Sequence, residues 1–316
     1  MSQNLAPLFG QGINKMYGIM VKTYSPLYTQ MTNDITMTGR ILDRQQWQGY
    51  DAPQETGILE QAYISQIQPS FSKRYIPVKR TIGDVVAEED WEDDEYGFLK
   101  RVIPASGGGM AQVVMAKKEY DVANMFAVLG FSTASPVQSS FDGKSLFNTG
   151  HPVSLANAGT TVSNRPSSDA DLSNTTYYAA YANMVQQMAT NNYTIIQSAP
   201  KNLVYNPKLR EVAVQIARGD WERESPATSK MNAAVADRLN LISNPYFRKT
   251  GATSAANAWN AWFVQSVDHA CNFANRQDFR VKSDYDINLG GYIWVGSLRY
   301  DFGWDDWRGT YGSSGL

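Results

Sequence analysis

The run from Tyr292 to Trp304 constrains the fold more than any other part of this chain. Its alternate positions are Tyr292, Trp294, Gly296, Leu298, Tyr300, Phe302 and Trp304, while the intervening ones pass from Ile293 and Val295 to Ser297, Arg299, Asp301 and Gly303. Period-two alternation with one aromatic-rich face marks a β-strand. At about 3.3 Å per residue the run covers roughly 40 Å. Most strands hold only ~5–6 residues, so a bend is predicted at Gly296. An aromatic face of that length has to be covered by elements distant in sequence. The feature speaks of architecture, not of chemistry.

Composition narrows the function classes. The 316 residues suffice for one large or two medium domains. A formal net charge of −2 gives no broad electrostatic drive toward DNA or anionic membranes, and little repulsion against self-association. The lone cysteine, Cys271, excludes an internal disulfide framework and suits a reducing compartment. The opening Met-Ser-Gln-Asn-Leu-Ala-Pro predicts no signal peptide, and the absence of a long apolar run predicts no membrane span.

Along the chain, Ile13, Met16, Tyr17, Met20, Val21 and Tyr24 fall at helical spacing. They predict an amphipathic arm that packs on something other than its own fold. Residues 61–83 read as a two-stranded ribbon, with Tyr63–Ile67 facing the alternating stretch Tyr75–Ile82 and Pro69-Ser70 as the turn. The ribbon carries Lys73, Arg74, Lys79 and Arg80 without an acidic residue. An isolated hairpin is marginal in water, so this reads as an extended loop reaching away from the body. Seven carboxylates in eight positions follow: Glu88, Glu89, Asp90, Glu92, Asp93, Asp94 and Glu95. Hard cations favour such ligands, but the spacing matches no calcium-loop pattern. A solvated helix start, favoured by the macrodipole, is the expectation.

A long helix is then predicted, pausing around Pro104 and Gly107–Gly109 and placing Val114, Lys118, Val122, Phe126 and Leu129 on one flank, with Gly130 as its stop. Asp142-Gly143 signals a tight turn between strands. Helix is expected at 171–190, short strands at Tyr193–Ile196 and Asn202–Tyr205, and a helix start at Asn206-Pro207. Val235–Ile242 and Trp259–Val267 suit either helix or strand. The order of elements is α+β, without the βαβ rhythm of a doubly wound sheet.

Candidate chemistry is sparse. His151 sits in a Gly-His-Pro turn, where a structural hydrogen bond is expected rather than catalysis, and Cys271 reads as a small buried hydrophobe. Asp301, Asp305 and Asp306 could form a paired-carboxylate glycosidase site. Two of them fall on the odd face of the strand, where solvated positions or salt bridges with Arg299 and Arg308 are expected. Gly107–Gly109 is no P-loop, since the lysines come too late. No zinc spacing and no dinucleotide fingerprint occur, so neither metal nor cofactor is expected, nor catalytic residues.

Four blocks in order carry a resemblance: Phe141-Asp-Gly-Lys-Ser-Leu-Phe-Asn-Thr-Gly-His151-Pro152, Leu203-Val-Tyr-Asn206-Pro207, Ser243-Asn-Pro-Tyr246, and Phe302-Gly-Trp-Asp-Asp-Trp-Arg-Gly-Thr-Tyr-Gly312. From about residue 60 onward the chain resembles the major capsid proteins of tailed phages, which have the Hong Kong 97-like fold, and within them the Mu-like major head subunits. The resemblance implies an N-terminal arm at 1–50, an extended loop at 51–86 and a peripheral domain with a long spine helix at 87–190. An axial domain at 191–275 and C-terminal strands returning to the peripheral domain at 276–316 complete it. It implies a virion protein, assembled in the host cytoplasm, that forms pentamers and hexamers of an icosahedral shell. Such a shell encloses double-stranded DNA without sequence specificity. Separate scaffolding, portal and decoration proteins are the implied partners.

Two one-signed segments suggest a subunit contact. The basic ribbon (Lys73, Arg74, Lys79, Arg80) of one copy would lie near the acidic run (Glu88, Glu89, Asp90, Glu92, Asp93, Asp94) of its neighbour. Trp307, Arg308 and Tyr311, beyond the regular alternation, are also expected to meet a neighbour. No basic stripe that would grip DNA is visible in the sequence. Two alternatives stand beside this reading: an encapsulin-like compartment holding protein cargo, and a soluble carbohydrate-active enzyme using the C-terminal aspartates.

Overall fold

A computed structural model describes residues 11, 14–15, 17–19, 26–93, 98–132, 142–156, 158–219, 221–225, 228–247 and 259–315, with backbone only at 91, 98–108, 221–225 and 228–231. The aromatic run forms one unbroken strand, β13 (Gly291–Trp304). It lies inside a four-stranded sheet between β12 (Cys271–Asp286) and β4 (Val78–Ala87), with β1 (Asn33–Thr36) on the far edge of β12. Tyr292, Trp294, Leu298, Tyr300, Phe302 and Trp304 are all buried, as the alternation requires.

The bend expected at Gly296 is absent, since pairing runs through it to Val281 and Ile82. The glycine serves packing instead. A Cβ there would lie 2.3 Å from the Phe279 ring. The irregularity sits in the partner strand, where the β12 register shifts between Asn275 and Arg280. Bulges of this kind add residues to one strand and sharpen its twist.

Helix α3 (Phe98–Ala127) covers one face of this sheet; it follows two short helices, α1 (Tyr28–Met31) and α2 (Glu88–Glu92). Its buried flank contains Met110, Val114, Lys118, Val122 and Phe126, spaced at four residues so that they lie on one helical flank. The predicted pause at Gly107–Gly109 does not occur. Glycine lowers helix propensity by about 1 kcal/mol but forbids nothing. The helix closes with a 3-10 turn at Leu129–Phe131, where Gly130 lets Phe147 come close.

Two small ribbons pair β5 (His151–Pro152) with β6 (Thr161–Val162) and β8 (Trp221–Ser225) with β9 (Thr228–Met231). A second four-stranded sheet has the order β10 (Asn240–Ser243), β7 (Asn202–Tyr205), β11 (Trp262–Gln265), β14 (Thr310–Ser313). Its alternation divides two cores. Val204 and Phe263 point toward α3, where Phe263 stacks on Phe126 at 4.5 Å. Leu203, Tyr205, Trp262 and Val264 point the other way, against α4 (Asn174–Val185) and α5 (Arg210–Arg218). Ser173 caps α4 in a capping box, and Asn206 receives the Lys208 N–H at 2.9 Å ahead of α5. Both starts follow their sequence signals. Of the two ambiguous stretches, 235–242 divides into a 3-10 turn and β10, and 259–267 supplies β11. Tyr193–Ile196 makes only a single bridge, Ile195 to Met188, instead of a strand.

Two expectations for the N-terminal third are corrected. The described arm residues pack on their own subunit: the Tyr17 ring lies 5.1 Å from Phe279, and Asn14 exchanges two hydrogen bonds with the Val281 backbone at 2.9 and 3.2 Å. Tyr63–Ile67 is not a strand, and Pro69 opens a strand rather than a turn. Strand β3 (Pro69–Tyr75) pairs with β2 (Leu42–Trp47), while residues 78–87 belong to the central sheet. What the hairpin holds out is the 48–68 loop, with Ile58 and Leu59 fully exposed. Alternation alone does not name a strand's partner, and here each partner was non-local.

Candidate assembly surface

The three C-terminal aspartates tie elements together. Asp305 is buried; it accepts hydrogen bonds from the Tyr75 hydroxyl and from Asn272 Nδ2 at 2.6 Å, and pairs with Arg44 Nε at 2.7 Å. It therefore joins the β2–β3 hairpin to β12. Asp301, also buried, receives the Ile76 and Phe302 N–H groups at 2.8 and 2.9 Å. Burial raises the pKa of both, against the hydrogen bonds and cations that favour the charged form. Asp306 accepts from Gln46 Nε2 at 2.6 Å and pairs with Arg308 at 3.0 Å. The expected solvated face is thus a buried one at this end of β13, because the hairpin covers it. The pairing expected for Asp301 and Asp305 with Arg299 and Arg308 is not the one found: Asp305 pairs with Arg44, and Arg308 turns to Asp306.

Trp307, Arg308 and Tyr311 are inside the subunit too. Arg308 donates to the carbonyls of Val153 and Met188 at 2.6 and 2.7 Å, and the Trp307 ring stacks on His151 at 4.8 Å. Tyr311 packs near Trp262. With exposures of 3–6%, none of the three presents a surface to a neighbour. His151 has the structural role expected, its Nδ1 lying 2.6 Å from Asp142 Oδ2. Cys271 is buried, and burial pushes its thiol pKa up.

The basic ribbon divides. Lys73 is buried, and burial lowers its pKa against the pull of Asp301 and Asp305. Arg80 turns to the helix side, 3.4 Å from Asp121 and stacked 3.9 Å from the Tyr300 ring. Arg74 is exposed but forms a two-point pair with Asp43 at 2.7 and 3.0 Å. Lys79 alone of the four is both exposed and unpaired among the described residues. In the acidic run, Glu88 accepts from the Tyr285 hydroxyl, and Glu89, Asp90, Glu92 and Asp93 are exposed. Asp94 lies outside the described residues. No described cluster of His, Cys, Asp or Glu could hold a metal ion. No described helix is long and apolar enough to cross a membrane.

Tertiary structure gathers a cationic face that sequence reading missed. Register aligns Lys79, Arg299 and Gln277 across β4, β13 and β12, then Thr81, Ser297 and Arg280, then Gly83, Val295 and Lys282. Alternation sends all of these to the face away from α3. The β12 irregularity opens a cavity of about 460 Å³ lined by Arg276, Gln277, Asp278, Phe279, Arg280 and Arg299. Arg280 and Lys282 two apart in one strand were the available signal; which strands flank them was not.

A sequence profile of the phage capsid protein family matches residues 72–313, well over half of the chain. The chain belongs to the phage capsid protein family. Solved shells agree in fold. The capsid of cyanophage P-SCSP1u superposes with a TM-score of 0.53 at 13% identity, covering 91% of this chain and 87% of that one. The capsid of Myoviridae phage XM1 gives 0.53 at 13% identity, covering 93% of each chain. An encapsulin from Synechococcus elongatus reaches 0.50 at 7% identity, covering 93% and 89%. No curated protein sequence matches. The α+β capsid protein thus has the Hong Kong 97-like fold and is a major shell protein of a phage virion. The narrower Mu-like assignment is not confirmed.

Proposed function

We propose that this capsid protein assembles into pentamers and hexamers that close an icosahedral shell around double-stranded DNA in the host cytoplasm. Separate scaffolding, portal and decoration proteins would act with it. The observation that supports this best is the family match across 72–313 together with end-to-end coverage of phage capsid folds. In domain terms, the 48–68 loop on its hairpin is the extended loop. The first sheet with α3 is the peripheral domain, and the second sheet with α4 and α5 is the axial domain. The tie of Asn14 and Tyr17 to β12 makes the arm part of the peripheral domain's packing.

Subunits meet, in this reading, through the exposed acidic segment and the cations that remain free of internal partners. Lys79 replaces the whole ribbon in that role. It stands at one end of β4 and Glu88 just past the other, nine residues or about 30 Å away. Any pairing between them therefore joins two copies.

Negative-stain microscopy of purified protein tests the reading. Closed particles of uniform diameter are expected, and persistent monomers would refute it. Nucleic acid inside the particles separates a virion shell from the encapsulin-like alternative, which would hold protein cargo.

A further inference from the structure

The cationic face contains an electrostatic conflict within the subunit. Lys79 and Arg299 are direct cross-strand partners on one face, an arrangement that costs stability when both charges are alike. Arg280 lies one pair further along the same face, and Lys282 one pair beyond that. Arg299 Nε is buried without a hydrogen-bond partner. A buried donor left unmade is costly, and more so when charged. Arg276 enters the same cavity, fixed by its bond to the Met37 carbonyl at 3.0 Å. Asp278 is the cavity's one carboxylate, and it is engaged by Asn275 at 2.7 Å and Lys118 at 3.6 Å. The arrangement lacks an anion.

We propose that the Arg276–Arg280–Arg299 cavity is a carboxylate-binding site that receives the acidic segment Glu89–Asp93 of a second copy of this chain. The proposal rests on the shell reading and gives that contact its receptor. Guanidinium groups bind carboxylates through paired, geometrically matched bonds, and three converge here. The subunit's own acidic segment cannot fill the cavity. Glu88 donates its N–H to the Gly290 carbonyl at the tip of the β12–β13 hairpin, nine residues or about 30 Å along the strand from Arg299. A second copy brings four exposed carboxylates, Glu89, Asp90, Glu92 and Asp93, to a face holding Arg276, Arg280, Lys282, Arg299 and Lys79.

A nucleic-acid duplex fits less well. It presents a charge every ~1.7 Å along its axis and asks for an extended cationic track. This face spans only about 15 Å of strand before Asp284 interrupts it.

Charge reversal tests the proposal. Arg280→Glu with Lys282→Glu changes two exposed side chains, and Glu89→Lys with Asp90→Lys changes the acidic segment that fills the site. Each pair should cut particle yield at least roughly tenfold, as misplaced interface charges do, while thermal unfolding of the unassembled subunit stays unchanged. The four substitutions combined should restore particles. Wild-type yield from the Arg280→Glu/Lys282→Glu protein would overturn the site, and so would intact shells from it that have lost only nucleic acid. A combined variant that stays unassembled would overturn the pairing. Absence of particles from the wild-type protein would refute the shell reading itself, and with it this contact.

Discussion

Two buried titrating groups should give the subunit opposing pH dependences that mask each other. Glu119, on α3, has no solvent exposure and accepts the Leu27 and Tyr28 N–H groups at 2.6 and 3.0 Å, holding the start of α1. Those bonds favour the carboxylate, but burial outweighs them and raises its pKa from 4.5 to about 7. His269 is buried beside β12, and burial lowers its pKa from 6.5 to about 4 despite Asp268. For Glu119 the folded state holds the proton more tightly than the unfolded chain. Its contribution is therefore greatest below pH 4.5 and falls as pH rises to about 7. For His269 the unfolded chain binds the proton first, so stability falls as pH drops from 6.5 to about 4. At 1.36 kcal/mol per pKa unit each effect amounts to about 3 kcal/mol, with opposite signs in overlapping windows.

Replacement of one group should expose the other. Denaturant unfolding of the unassembled subunit between pH 4 and 8 is the assay, read as differences from wild type so that other groups cancel. Wild-type stability minus that of Glu119→Gln should fall by about 3 kcal/mol from pH 4.5 to 7. Wild-type stability minus that of His269→Gln should rise by a similar amount from pH 4 to 6.5. Parallel profiles for wild type and either variant would refute the assignment of that group.

Asp305→Ala leaves the buried Tyr75 hydroxyl and Asn272 amide without their acceptor and should cost about 2–5 kcal/mol. Asp305→Asn should cost less, and a shell protein carrying it with Asp306→Asn should still assemble, whereas a glycosidase would lose its activity. Asn232 donates to the Gln215, Ile216 and Gly219 carbonyls at 2.8–3.0 Å and caps the next turn through Ala234 N–H, so Asn232→Ala should cost about 2–4 kcal/mol in thermal unfolding. Gly312→Val would press a Cβ within 2.8 Å of the buried Phe147 ring and should destabilise by about 1–3 kcal/mol. Gly109→Ala, with nothing within 4 Å of its Cβ, should stabilise α3 by up to about 1 kcal/mol. Equal effects from the two glycine changes would refute the packing account.

Local signals in the chain were legible wherever the determinant was local. The alternation of β13, the Asn206-Pro207 start and the buried flank of α3 each depend on a few consecutive residues; of the expected turn between strands at Asp142-Gly143 the turn is present, with a positive φ at Gly143, but no described strand adjoins it. The capsid resemblance from about residue 60 came from four such blocks. The ribbon failed for the opposite reason. A run such as Val78–Ala87 has the same pattern as a free hairpin arm or as the neighbour of a strand more than two hundred residues away. Pairing with β13 decided the matter. Pro104 and Gly107–Gly109 likewise spoke only of propensity, which a long helix can override.

By itself, then, the sequence determined the aromatic face of β13, the buried flank of α3, and the resemblance to a shell-forming class. Tertiary structure alone decided which charges are free to meet another copy. Lys73, Arg80, Asp301, Asp305 and Arg308 are charged in the sequence but folded into internal pairs or burial. Lys79, Arg280, Lys282 and Arg299, carried by three different strands, gather on one face of the sheet. The physical reason is that a charge is settled by whatever lies within a few ångströms, and across a sheet those neighbours are set by register rather than by sequence distance.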